Sequence, residues 1–93
     1  MVTAIILIHT EPGTVKDAAE ALSRLPGISE VYSVAGEWDL VAIARVHRNE
    51  ELADLVTTGL AKVDGIASTE TLIAFRAYSR HDLDRIFSIG MDG

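Results

Sequence analysis

The sequence predicts an α+β domain with its elements in the order βαββαβ. Three observations carry that expectation: four runs rich in Val, Ile and Thr, two intervening stretches with apolar residues at helical spacing, and a glycine closing each of those stretches. The 93 residues suffice for one modest core. Only 5% of them are aromatic, so the 48% that are hydrophobic are mainly Ala, Val, Ile and Leu, which favours close packing of helix on sheet.

Val2 to Thr10 reads as the first strand, nearly unbroken in its apolar character. Pro12 and Gly13 end it. Val15, Ala18, Ala19, Leu22 and Leu25 then recur at helical spacing, with Thr14 and Asp17 placed like a capping box, until Pro26 and Gly27 stop the helix. Ile28 to Ala35 alternates as a second strand, and Gly36-Glu37-Trp38-Asp39 turns it into a third, Leu40 to His47, so the two form a hairpin. Asn49 is a good N-cap, Glu50 and Glu51 suit the positive end of a helix, and Leu52, Leu55, Val56, Leu60 and Val63 make the buried stripe. Asp64 and Gly65 close this helix, and Ile66 to Ala77 reads as the fourth strand. After the domain at 1–78 comes a tail, 79–93, in which Ser79 to Phe87 is expected to form a short helix with Leu83, Ile86 and Phe87 on one side.

The two halves echo each other: Leu22-Ser23-Arg24-Leu25-Pro26-Gly27-Ile28 aligns with Leu60-Ala61-Lys62-Val63-Asp64-Gly65-Ile66. Such an order is the split β-α-β, or ferredoxin-like, arrangement, in which right-handed crossovers put both helices on one face of an antiparallel sheet. Yet Ala4 to Ile8, Leu40 to Ala44 and Leu72 to Phe75 are apolar at consecutive positions, so both faces avoid water. At ~25 cal/mol per Å², several hundred Å² of bare apolar sheet would forfeit on the order of 10 kcal/mol, comparable to a small domain's whole stability. A second copy is the expected cover, giving a dimeric αβ-barrel with sheet-to-sheet pairing. The tail is too short to cover four strands.

The formal charge of −6 argues against direct binding of nucleic acid or of anionic membrane surfaces. With no cysteine there is no disulfide framework, thiolate nucleophile or Cys-based zinc site, which fits a cytoplasmic location. The apolar stretch Val2 to Ile8 lacks the flanks of a signal peptide, and no run approaches membrane-spanning length. His9, His47 and His81 show no metal-ligand spacing, and no nucleophile elbow, phosphate loop or paired catalytic carboxylates occur. No cofactor or metal is expected.

Pro12-Gly13 before the first helix, Leu25-Pro26-Gly27-Ile28 after it, Gly36-Glu37-Trp38-Asp39 in the hairpin and Ser68-Thr69-Glu70-Thr71 in the fourth strand together resemble the effector-binding domain of the Lrp/AsnC family. The resemblance spans nearly the whole chain. It implies sheet-to-sheet dimers, further assembly often into octamers, and amino acids or similar metabolites bound at contacts between dimers, near the hairpin turn and the strand-four threonines. The family's transcription factors carry an N-terminal helix-turn-helix, whereas Met1 here leads straight into the first strand, so the chain resembles a stand-alone form that acts on transcription through a full-length relative or by buffering a metabolite.

An α-amino acid needs hydrogen-bond donors for its carboxylate and an acceptor for its ammonium. The candidate ligand-binding residues are Gly36, for approach to backbone N–H groups, Glu37 and Asp39 for the ammonium, Trp38 as an apolar wall, and Thr69 and Thr71 to complete the cage. The residues equally fit a plain turn with a packed indole and ordinary strand threonines. Two other readings stand beside the sensor: a cofactor-free dimeric αβ-barrel enzyme, of monooxygenase or isomerase type, and an oligomerisation module that binds nothing.

Overall fold

The computed structural model describes residues 1–78 and Arg80; the helix expected within 79–87 lies outside the described residues but for that arginine. Strand β1 (Val2–Thr10) occupies the expected span. Helix α1 (Val15–Ser23), strands β2 (Ile28–Ser33) and β3 (Leu40–Val46), helix α2 (Asn49–Asp54) and strand β4 (Ile66–Ala74) follow in the expected order. All three strand pairings are antiparallel and the sheet runs β2-β3-β1-β4, the ferredoxin-like topology.

Alternation along the two central strands sorts side chains between the faces. Ala4, Ile6 and Ile8 of β1 and Leu40, Ala42 and Ala44 of β3 are fully enclosed and join Ala18, Leu22, Leu52, Leu55, Leu60 and Val63 in one core. Alanine at four of these positions lets the helices sit close to the sheet, as the scarcity of aromatics suggested. The intervening residues point to the other face. Ile43, Ile5 and Leu72 form one row across it, and Val41, Leu7 and Glu70 the next. No described helix covers this face; its central aliphatic side chains are only partly buried, by their neighbours within the sheet, and Leu72 is exposed.

One expectation is corrected. The sheet is open and does not close into the expected dimeric αβ-barrel: β2 and β4 are its edges, each with a single partner strand, and no described element lies across its second face. Barrel closure needs every strand to be paired on both sides, and four strands ending in two free edges do not meet that condition.

Smaller differences have local causes. The Thr14 hydroxyl does not cap α1; it donates toward the carbonyls of Glu11 (2.7 Å) and Gly65 (3.2 Å) and so ties the entry of α1 to the start of β4. The N-cap of α2 is Arg48, in extended conformation, one residue before the expected Asn49. After Asp54 the helix continues through a π-helical turn (Leu55–Gly59) and a 3₁₀ turn (Leu60–Lys62). β2 stops at Ser33 because Val34 N–H already bonds the Asp39 carbonyl (3.1 Å) and closes the hairpin, and β4 stops at Ala74, opposite Thr3, the last pair of its ladder with β1.

Candidate functional site

The β2–β3 hairpin places four of the six candidate residues in one turn. Gly36 is exposed with φ of 120°, a conformation that penalises any side chain, although an added Cβ would meet nothing within 4 Å. The glycine is therefore required by the backbone, and its amide stays open to approach. Glu37 beside it is exposed, whereas Trp38 and Asp39 are partly buried.

Asp39 fastens the turn to β1 through two groups. Its N–H donates to the Ile8 carbonyl (3.0 Å), and its Oδ2 accepts from Thr10 N–H (2.9 Å) and, more loosely, from the Thr10 hydroxyl (3.4 Å). The β1–β4 register shifts between His9 and Thr10, and at that irregularity the Asp39 carboxylate takes the Thr10 amide. Among the described residues nothing donates to Asp39 Oδ1, which is left for another donor.

Trp38 lies on His9, with ring centroids 4.1 Å apart and planes tilted by 42°. Beneath it His9 Nε2 is enclosed and has no hydrogen-bond partner among the described residues. The strand-four threonines lie elsewhere. Thr69 stands opposite Ile8 and Thr71 opposite Ile6, so both share the helix-bearing face, while His9, opposite Ser68, belongs to the other. Thr69 borders a shallow recess of about 280 Å³ beside Leu60 and Val63. Thr71 borders one of about 640 Å³ with Leu52, Ile73 and Phe75. A third recess, about 440 Å³, lies between Leu25, Pro26, Leu55 and Gly59. None of these three is lined by the hairpin turn. A single chain thus brings Trp38 and Asp39 together with His9 and Thr10, and does not bring Thr69 or Thr71 to them.

His9 and Thr10 are the partners of the turn that the sequence did not point to. A strand-end imidazole reads as solvated; the available signal was register, since pairing Ile8 with Leu40 sets His9 level with Asp39. On the same open face, Glu30 accepts from the Tyr32 hydroxyl and from Arg45 Nη1 (3.1 Å). The Tyr32 bond, and then Arg45, hold the Glu30 carboxyl below its ordinary range, and the bond to Glu30 raises the Tyr32 phenol above its own.

Among the described residues no three His, Asp or Glu side chains converge to hold a metal. No described helix is long and apolar enough to cross a membrane.

Residues 3–83 match the family model of the Lrp/AsnC ligand binding domain. An HTH-type transcriptional regulator of Pyrococcus horikoshii is 40% identical over 76 residues, which cover 78% of this chain and 51% of that protein. The chain spans about half the length of the curated relatives it matches. Among solved structures, a protein of Thermus thermophilus is 49% identical with a TM-score of 0.80, covering 86% of this chain and all of its own. A transcriptional regulator of Neisseria meningitidis in complex with L-Met shares the fold, with a TM-score of 0.75 at 14% identity over 85% of this chain and 53% of its own. These relatives are transcriptional regulators, and the family model that matches is that of a ligand-binding domain. A family match running from the first strand past the last, on a sheet of the same topology, makes this chain a member of the Lrp/AsnC family that carries its ligand-binding domain.

Proposed function

We propose that the domain senses an amino acid or a closely related metabolite, that the ligand sits where copies of the chain meet, and that its binding acts on transcription through full-length regulators of the family. The observation that carries this reading is the Gly36–Asp39 turn. It offers an open backbone amide, an uncommitted Asp39 oxygen and the exposed Glu37 carboxylate within four residues, the donor and acceptors that a zwitterion requires. Thr69 and Thr71, on the far side of β1, reach the ligand from a neighbouring copy.

The open face of the sheet supports the same reading. No described residue covers Ile5, Leu7, Val41, Ile43 and Leu72, and Ile73 near the end of β4 and Phe75 just past it are exposed. We propose a homodimer as the basic unit, with dimers associating further toward an octamer. The amino-acid class is supported by the L-Met complex of the Neisseria meningitidis regulator that shares the fold. The excess of acidic residues leaves contact with DNA to a partner.

Calorimetric titration with each of the twenty amino acids tests the proposal. At least one should bind. Asp39→Asn keeps an acceptor for Thr10 but loses the charge that holds an ammonium, so affinity should fall by roughly tenfold or more. Binding by none of the twenty, or undiminished affinity in Asp39→Asn, overturns the assignment.

A further inference from the structure

The Trp38–His9 pair contains a feature that packing alone does not explain. An aromatic ring at the end of β1 would support the indole equally well as phenylalanine, yet residue 9 is an imidazole whose Nε2 is shut off from water and from every described hydrogen-bonding group. An enclosed nitrogen without a partner weakens the fold, so its presence points to a partner that arrives from outside. The turn is built to let one in. Asp39 is pinned to β1 at both its amide and its carboxylate, while Ala35, Gly36 and Glu37 on the other side of Trp38 are exposed. The backbone at Asp39 is thus held, while the turn on the other side of Trp38 faces solvent, toward which an indole turning about its own side-chain bonds would move.

We infer that His9 is the carboxylate-recognising residue of the hairpin-turn site and that Trp38 is its gate: when the indole swings aside, Nε2–H donates to the carboxylate of an amino-acid ligand. Thr10, which Asp39 holds at 2.9 Å, is the next residue along β1. The group for the carboxylate and the anchor of the group for the ammonium are thus one residue apart on a rigid central strand, and a ligand bearing both charges on one carbon fits that arrangement better than a simple acid or amine does. This inference rests on the sensor reading above and assigns the recognition chemistry of the same site.

The test compares an amino acid that binds with its own carboxamide, which keeps the ammonium and loses the carboxylate, against the wild-type chain, His9→Phe and His9→Gln. The wild type should prefer the acid by about tenfold or more, the worth of a charged hydrogen bond. His9→Phe should bind acid and amide alike and weakly, and His9→Gln, which keeps an N–H donor at similar reach, should recover part of the preference. A purely packing role for His9 predicts the opposite for His9→Phe: unchanged affinity and an equal or more stable fold. His9→Leu repeats the measurement with a second apolar side chain, and circular dichroism confirms that each variant is folded. Trp38 is the chain's one tryptophan, so its fluorescence reports the gate directly, and ligand should change it in the wild type. Equal acid preference in wild type and His9→Phe, or an indole signal blind to saturating ligand, overturns this inference while leaving the sensor reading in place; a wild type that binds no amino acid overturns both.

Discussion

Replacing Asp39 by alanine removes the fastening between the hairpin and β1, and the structure sets the size of the effect. Two contacts are lost, the Thr10 amide at 2.9 Å and the Thr10 hydroxyl at 3.4 Å, of which the first has good geometry and an ionised acceptor. A hydrogen bond to a charged group contributes about 1.5–3 kcal/mol, and partial exposure lets water replace some of it, so the cost should lie near the lower end, about 1–2 kcal/mol. For a domain of this size that lowers the melting temperature by roughly 5–15 °C. Asp39→Asn, retaining a neutral acceptor, should recover about half. Thermal unfolding followed by circular dichroism at one fixed protein concentration measures this, the concentration being held because any self-association adds to apparent stability. A melting temperature for Asp39→Ala within about 2 °C of the wild type would refute the clamp.

Three further outcomes follow from local geometry. Gly65→Ala puts a Cβ 2.7 Å from the Thr14 hydroxyl oxygen and 2.8 Å from the Thr14 Cβ on a backbone with φ of 91°, and should destabilise by roughly 1–2 kcal/mol from the left-handed conformation alone, plus the displaced Thr14; in a Thr14→Gly background, which removes both atoms, only the backbone part should remain, read as urea midpoints. Glu30→Gln should bring the Tyr32 phenol back toward its usual value near ~10, measured by tyrosinate absorbance against pH. The raised Tyr32 value favours the fold below the ordinary phenol range, a contribution lost as pH rises through the folded value. The lowered Glu30 value favours it above the ordinary carboxyl range, a contribution lost as pH falls through the folded value. Ile5→Lys, in the middle of the uncovered row, should shift sedimentation toward the single chain and leave the circular dichroism spectrum intact; undiminished association would exclude that face as a contact.

Much of the fold was legible because its signals are local. The limits of β1 follow from one apolar run ended by Pro12-Gly13, and the positive φ of Gly27 and Gly65 bears out the reading of a glycine after each helix. The π-helical turn was not foreseen, although its trace is in the spacing. Leu52 and Leu55, then Leu60 and Val63, are each three apart, but Leu60 comes five positions after Leu55, and an i→i+5 turn returns both pairs to one face. Thr57 assists by donating to the Ala53 carbonyl at 2.7 Å. Thr14 misled because a hydroxyl before a helix usually caps it, and only tertiary structure brings Gly65 within its reach. The closed barrel was inferred from apolar faces alone, and such faces say that cover is needed without saying what edges a sheet will have.

The same division holds for the site. That Gly36, Trp38 and Asp39 share a turn is sequence-local; that Asp39 holds Thr10, that Trp38 covers His9 and that Thr69 and Thr71 lie on the opposite face depend on register.

The most direct test of the account is a crystal structure of the chain grown with an amino acid that calorimetry shows to bind. Ligand density beside the Gly36–Asp39 turn, with the Trp38 indole displaced from His9, is the predicted result. Density lodged only in the helix-side recess between Leu25, Pro26, Leu55 and Gly59 would contradict it.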